Sequence, residues 1–234
     1  MARGPAAGQL TLDFVAAPAP PPVSALPRLA PMSPVSGVAP FDDDEWFFEP
    51  WWPGAQAIVY IDASGLRLQT EHLADPNPAF AELAVVAAQF SAERLIAHGS
   101  LLVLDDNGRP DAELLRLWLS GNAGRPGTAA LVVSDLLHLR GQSLLGWPFS
   151  DRRAQLTRIL RDGDNCVVSR GLRGEGMTLA EAAAAMGVAE VSARLLSGAY
   201  RPGTVDDSWR RLPVIEAPIE QTRPLLTLLQ KLPL

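Results

Sequence analysis

Among the 20 basic residues there is one lysine, Lys231, and the other 19 are arginine. Schiff bases, lysyl-nucleotide intermediates and phosphate-binding loops all need a lysine in a pocket, and Lys231, three residues from the end, is poorly placed for any of them. The other chemistry-bearing residues are sparse. Cys166 is the only cysteine, which excludes a disulfide framework and a thiolate-built zinc site. His72, His98 and His138 lack metal-ligand spacing, and there is no G-x-S-x-G elbow. Asp42-Asp43-Asp44-Glu45 offers carboxylates, but adjacent acids point in different directions, so this reads as a solvated loop and no metal site is expected. Gly121-Asn122-Ala123-Gly124-Arg125-Pro126-Gly127 has enough glycine to cradle a phosphate; the simpler reading is a link from a helix to a strand.

The length fits one ordinary domain with appendages or two very small ones. A chain of 234 residues with 47% hydrophobic composition is long and apolar enough for a sizeable core. No stretch approaches the roughly 18–20 apolar residues of a membrane span, and no secretory start is present. The expectation is a cytoplasmic protein with no membrane contact. A net charge of -6 gives no global basic field for nucleic acid, so DNA contact is expected to be weak or indirect.

Strands are predicted over residues 57–61 and 66–70 around the turn Asp62-Ala63-Ser64-Gly65, over 95–104 before the turn Asp105-Asp106-Asn107-Gly108, and over 129–133. Helices are predicted over 78–90, with Phe80, Leu83, Val85 and Val86 on one face, over 111–119, and after Ser150 with Leu156, Ile159 and Leu160. Thr178-Leu179-Ala180-Glu181 has the form of a capping box, and Gly187 that of a helix-closing glycine. Strands and helices without regular alternation point to an α+β fold. Nine of the 21 prolines lie in the first 40 residues. Residues 1–36 are therefore expected to form a disordered tail with a polyproline-like spacer, 37–216 the domain, and 217–234 a C-terminal tail.

Read as ordered text over residues 26–214, the chain resembles the adenylation (nucleotidyltransferase) domain of ATP-dependent DNA ligases, especially the bacterial end-joining type. Leu26-Pro27-Arg28-Leu29-Ala30-Pro31-Met32 looks like the segment preceding that domain, and Glu49-Pro50-Trp51-Trp52-Pro53-Gly54-Ala55-Gln56-Ala57 falls on the signature E-P-K-W-D-G-x-R-A. Asp106-Asn107-Gly108-Arg109-Pro110-Asp111 resembles the hairpin after the D-G-E motif. Ser134-Asp135-Leu136-Leu137-His138-Leu139-Arg140-Gly141 resembles F-D-L-L-x-L-x-G, and Tyr200-Arg201-Pro202-Gly203 with Trp209 resembles the Y-R-P-G and W-L-K-I-K ending. The resemblance implies mixed antiparallel sheets with flanking helices.

It also implies lost chemistry. In this family a lysine amine attacks ATP to give lysyl-AMP, and here Trp51 stands at that place. Pro53 replaces the signature aspartate and Gln56 its arginine; Ser100 replaces the D-G-E glutamate, with His98 at the aspartate, and Ser134 replaces the adenine-stacking aromatic. In the fourth motif Ala189 falls on the metal-associated glutamate unless the register slips by one, and in the last motif Arg211 remains while Pro213 replaces a lysine. Glu71 lies near the place of a further family arginine. Glu49, Gly54, Asp135 and Arg211 are what is left of a nucleotide site, and Trp51 and Trp52 are expected to fill the pocket. The OB-fold domain that follows in the family is not expected in the twenty or so residues after Val214.

The resemblance thus implies a pseudo-ligase with no cofactor. The alternative is an ATP-dependent ligase or other nucleotidyltransferase using ATP and Mg at a distorted site. A third reading is a subunit whose remodelled pocket face, with Trp51 and Trp52 exposed, docks another repair or replication protein. Finally, Gln9-Leu10-Thr11-Leu12-Asp13-Phe14 resembles the sliding-clamp-binding peptide Q-L-x-L-x-[L/F], in which Gln9, Leu10, Leu12 and Phe14 would enter a preformed groove. The implied partner is the bacterial DNA sliding clamp.

Overall fold

The computed structural model describes residues 25–121, 126–185 and 187–214. The peptide at 9–14, the proline-rich stretch, Lys231, the segment 217–234 and much of the glycine-rich link lie outside them. In chain order the strands are β1 (Ser33–Ser36), β2 (Asp43–Pro50), β3 (Ala55–Asp62), β4 (Gly65–Thr70), β5 (Leu95–Leu104), β6 (Thr128–Leu139), β7 (Gln142–Ser143), β8 (Cys166–Val168), β9 (Leu172–Gly174), β10 (Glu190–Leu195) and β11 (Val205–Pro213). The α-helices are α1 (Ala112–Leu119), α2 (Phe149–Ile159) and α3 (Gly176–Ala185). One sheet runs β1-β11-β10-β2-β9, and the other β4-β3-β5-β6-β7 with β8 beside β6.

Period-two alternation makes each sheet two-sided. In β3 and β5, Ala57, Val59, Leu95, Ala97, Leu101 and Val103 face a core closed by α1, α2 and a 3-10 helix over Ala81–Gln89. The intervening Ile58, Tyr60 and Ile96 face the other sheet. In the first sheet Trp46, Phe48, Val191, Ala193 and Leu212 pack under α3, which leaves Phe47, Glu49, Ser192, Arg194, Trp209 and Arg211 turned toward the second sheet. The layers are helices, sheet, cleft, sheet, helix, and the fold is the mixed-sheet α+β arrangement expected. No helix among the described residues is long and apolar enough to cross a membrane.

Three local expectations give way. The helix over 78–90 is a 3-10 helix at Ala81–Gln89, with Leu83 and Val86 buried and Val85 64% exposed. Phe80, Leu83 and Val86 recur every three residues, the repeat of a 3-10 turn. The capping box is absent, because α3 begins two residues before Thr178. Its Met177 N–H instead donates to Asp42 Oδ1 at 2.8 Å, from 135 positions away in the chain. The tail boundary at residue 36 also falls too late. Leu29 and Met32 are buried between the sheets, the Leu29 N–H donates to the Tyr60 hydroxyl at 3.0 Å and the Met32 N–H to the Tyr200 hydroxyl at 2.9 Å, and β1 pairs in parallel with β11.

Candidate functional site

The residues singled out by the sequence converge on the cleft between the sheets. Glu49 is the penultimate residue of β2, and Trp51 through Gly54 make a tight turn into β3 in which the Gly54 N–H donates to the Trp52 carbonyl at 2.8 Å. Gly54 is required by packing, since a Cβ there would lie 2.4 Å from the Leu101 carbonyl oxygen. Trp52, 4% exposed, lies across Leu102, Leu104, Ala130, Val132 and Val167 and donates its indole N–H to Ser169 Oγ at 3.3 Å. Trp51 is half-buried, tilted against Trp209 with ring centroids 5.8 Å apart, and carries the Arg211 guanidinium 4.8 Å over its ring. The reading that needed both rings exposed as a docking face is therefore not met.

The second wall depends on a β-bulge. His98 pairs with Asp135 and Gly99 with Val133, so Ser134 is an extra residue in β6. Such a bulge re-aims side chains. Here it puts both Ser134 and Asp135 within reach of Arg194, at 3.4 Å and 3.2 Å. Gln56 donates to Ser100 Oγ at 3.3 Å, so the two polar replacements bond each other.

Asp135 is fully buried and its oxygens are taken. Arg152 donates to it in bidentate fashion, Nε to Oδ1 and Nη2 to Oδ2, both at 2.8 Å; the Leu136 N–H also donates to Oδ1 at 2.8 Å. Glu49 sits 3.7 Å from Arg153 Nη1 and 3.7 Å from Arg194 Nε. Arg194 stacks 3.8 Å over Trp209, and Arg153 4.4 Å over Phe47 while donating to the Ser169 carbonyl. Arg152 is further held by the Trp147 and Gly198 carbonyls. Three guanidinium groups thus face two carboxylates in a water-excluded layer. Burial pulls Arg194 and Arg153 below the ordinary arginine range, and the carboxylates oppose it. Burial and then the Arg194 charge push His98 down to about 3, so it is neutral; its Nδ1 lies 3.2 Å from the Tyr200 hydroxyl.

Of the remaining expected positions, Arg211 is ion-paired with Glu190, its Nε donating to Oε2 at 2.7 Å. Ala189 and Pro213 lie exposed at the ends of β10 and β11, outside the cleft, and Pro53 is exposed at the turn. Arg152, Arg153 and Ser169 were missed by sequence reasoning. Their signal is weak: Arg152 and Arg153 share the buried face of α2 with Leu156 and Ile159, where two arginines read as a charged helix start. What remains open among Glu49, Trp51, Trp52, Gln56, Ser100, Ser134, Ser192, Arg194 and Trp209 is a cavity of about 20 Å³.

No family model matches the chain. Among curated proteins it is 29% identical over 183 residues to the multifunctional non-homologous end joining DNA repair protein LigD of Mycobacterium tuberculosis, covering 78% of this chain and 23% of that protein. It is 31% identical over 148 residues to DNA ligase C2 of Mycolicibacterium smegmatis, covering 58% of this chain and 40% of that one. Among solved structures, a mycobacterial DNA ligase D complexed with ATP and MES superposes with a TM-score of 0.68 at 26% identity, over 79% of this chain and 60% of that one. The ligase domain of M. tuberculosis LigD gives a TM-score of 0.67 at 27% identity, over 78% and 58%. The chain is a relative of the adenylation domain of end-joining, ATP-dependent DNA ligases. The ligase-like domain spans about a quarter of the length of the LigD proteins it matches, 23% for the mycobacterial one, so activity, substrates and partners of those whole proteins are not carried across with the fold. In it, the cleft between the sheets holds tryptophans and ion-paired arginines.

Proposed function

We propose that the chain is a non-catalytic, ligase-like adaptor of bacterial DNA repair or replication, brought to DNA by the sliding clamp. The observation that carries this reading is the filled cleft. A cavity of about 20 Å³ has room for about one water, whereas an ordinary ligand pocket offers roughly 300 Å³ or more. A solved relative is complexed with ATP; here Trp51 and Trp52 and the Arg194 guanidinium occupy the cleft. The groups that would have to meet phosphate are committed elsewhere, Arg211 to Glu190 and Arg194 to Asp135 and Glu49. Phosphoryl transfer is positioning plus charge neutralisation, and among the described residues neither a free cation nor a lysine nucleophile stands in the cleft.

Recruitment rests on Gln9, Leu10, Leu12 and Phe14, followed by the proline-rich spacer. A tether of this kind raises effective concentration at DNA and needs no catalytic grip. Two measurements test the proposal. Incubation with labelled ATP and Mg is expected to leave the chain unlabelled, and a stable protein-AMP adduct sinks the non-catalytic reading. Binding to a bacterial sliding clamp is expected for the full chain and lost, by tenfold or more, in the Leu12→Ala/Phe14→Ala variant; equal binding by both removes the clamp from the account.

A further inference from the structure

A second feature lies on the helical side of the β3–β5–β6 sheet, away from the cleft. Two open depressions of about 550 and 570 Å³ share Phe90 and Ser91 in their walls and so adjoin, making a two-part groove. Arg158 and Arg161 line one half, and Arg94 and Arg140 the other. Arg140, Arg158 and Arg161 are exposed, and their side chains have no partner among the described residues. The acids in the groove are Glu93 and Asp162, and Asp162 is already paired with Arg170 at 2.7 Å. The floor is apolar, with Phe90, Ile159 and Leu160 all buried.

The backbone presents Arg94 and Arg140 at a local cost. Arg140 and Gly141 are the two central residues of the β6–β7 hairpin, both with positive φ, at 53° and 84°. A two-residue turn of this hand favours Asn or Asp at the first place, and a long side chain there is strained. Arg94 is also left-handed, at φ 58°, and its carbonyl accepts from the Gly141 N–H at 3.2 Å, which ties the two turns together.

We propose that this groove docks the phosphodiester backbone of duplex DNA. Guanidinium groups match phosphate oxygens in bidentate geometry. An apolar floor focuses their field, and at physiological salt the acids elsewhere on the chain are screened beyond about 8 Å. The net charge of -6 therefore limits the affinity and does not abolish a local site. The surface is separate from the filled cleft and does not depend on whether that cleft is catalytic.

The test is fluorescence anisotropy of the full chain with a labelled 20-base-pair duplex, between 50 and 200 mM salt. Dissociation constants of roughly 10⁻⁴–10⁻⁶ M are expected, with a salt slope near -3, since each neutralised phosphate contributes about -0.9. The Arg140→Glu/Arg158→Glu/Arg161→Glu variant should lose tenfold or more in affinity and most of that slope. The control Arg28→Glu/Arg109→Glu/Arg116→Glu makes the same change of charge outside the groove and should shift affinity less than threefold. Absence of wild-type binding at 50 mM salt overturns the proposal, as does equal loss in the two variants. Tighter binding of a glutamate-rich peptide of equal charge also overturns it, in favour of an acidic protein partner.

Discussion

Substituting Asp135 with Asn separates a structural plug from a vacated nucleotide site. The carboxylate is 0% exposed, takes two 2.8 Å bonds from Arg152 and lies 3.2 Å from Arg194. Three guanidinium groups face two carboxylates in the wild-type cluster, so the variant leaves three facing one. The amide NH₂ also meets at least one arginine donor. Breaking one partner of a buried ion pair costs roughly 3–5 kcal/mol, because the charge left behind stays desolvated. For a domain of this size each kcal/mol lowers the melting temperature by roughly 2–4 °C, so Asp135→Asn should melt about 6–20 °C below wild type. The exposed pair Glu113–Arg116 is the internal reference, and Glu113→Gln should move the midpoint by no more than about 2 °C. Differential scanning calorimetry, followed by urea titration to confirm an unchanged m-value, reads both. A binding-site carboxylate held for a ligand is commonly neutral or costly to stability when no ligand is present. A drop for Asp135→Asn no larger than that for Glu113→Gln would falsify the assignment of this cluster as the device that closes the cleft.

Other outcomes follow from the same geometry. Trp52→Ala removes a buried ring from the wall formed by Leu102, Val132 and Val167, and urea unfolding should show a loss of roughly 3–5 kcal/mol. Trp51→Lys restores an amine at the resembling position and should still take up no label from ATP, because Trp52 and Arg194 continue to fill the cleft; labelling of that variant would show that the nucleophile alone was missing. His98, held down to about 3 from an ordinary 6.5, is neutral when folded, so its contribution to stability is full above about pH 6.5 and is lost as pH falls toward 3. Between pH 7 and pH 5 that is about 2 kcal/mol, and His98→Gln should flatten the fall in melting temperature over this window; an unchanged pH slope would contradict the burial argument.

Much of the scaffold could be read from local chemistry. The Asp62–Gly65 turn, the β5 run from Leu95 to Leu104 and the helix capped by Asp111 follow from residues that act on their immediate neighbours. The ordered motifs pointed to the adenylation-domain fold, and Glu49, Trp51, Gln56, Ser100, Ser134 and Asp135 do meet in one cleft wall or another. What escaped depends on distance along the chain. Asp42 caps α3 from 135 positions away, and no local pattern records it. The bulge at Ser134 arises from pairing with β5, and alternation alone would have put Ser134 and Asp135 on opposite faces. Arg152 and Arg153 look like a solvated helix start until Asp135 and Glu49 are folded against them. The segment 29–36 reads as tail because prolines and small residues dominate it, yet its backbone amides meet Tyr60 and Tyr200.

A cleft filled by Trp51, Trp52 and Arg194 should hold no nucleotide. Isothermal titration calorimetry of the full chain with ATP and Mg tests it most directly. No saturable heat is expected up to millimolar ATP. A dissociation constant below about 100 µM, reversed by AMP and weakened by Asp135→Asn, would contradict it.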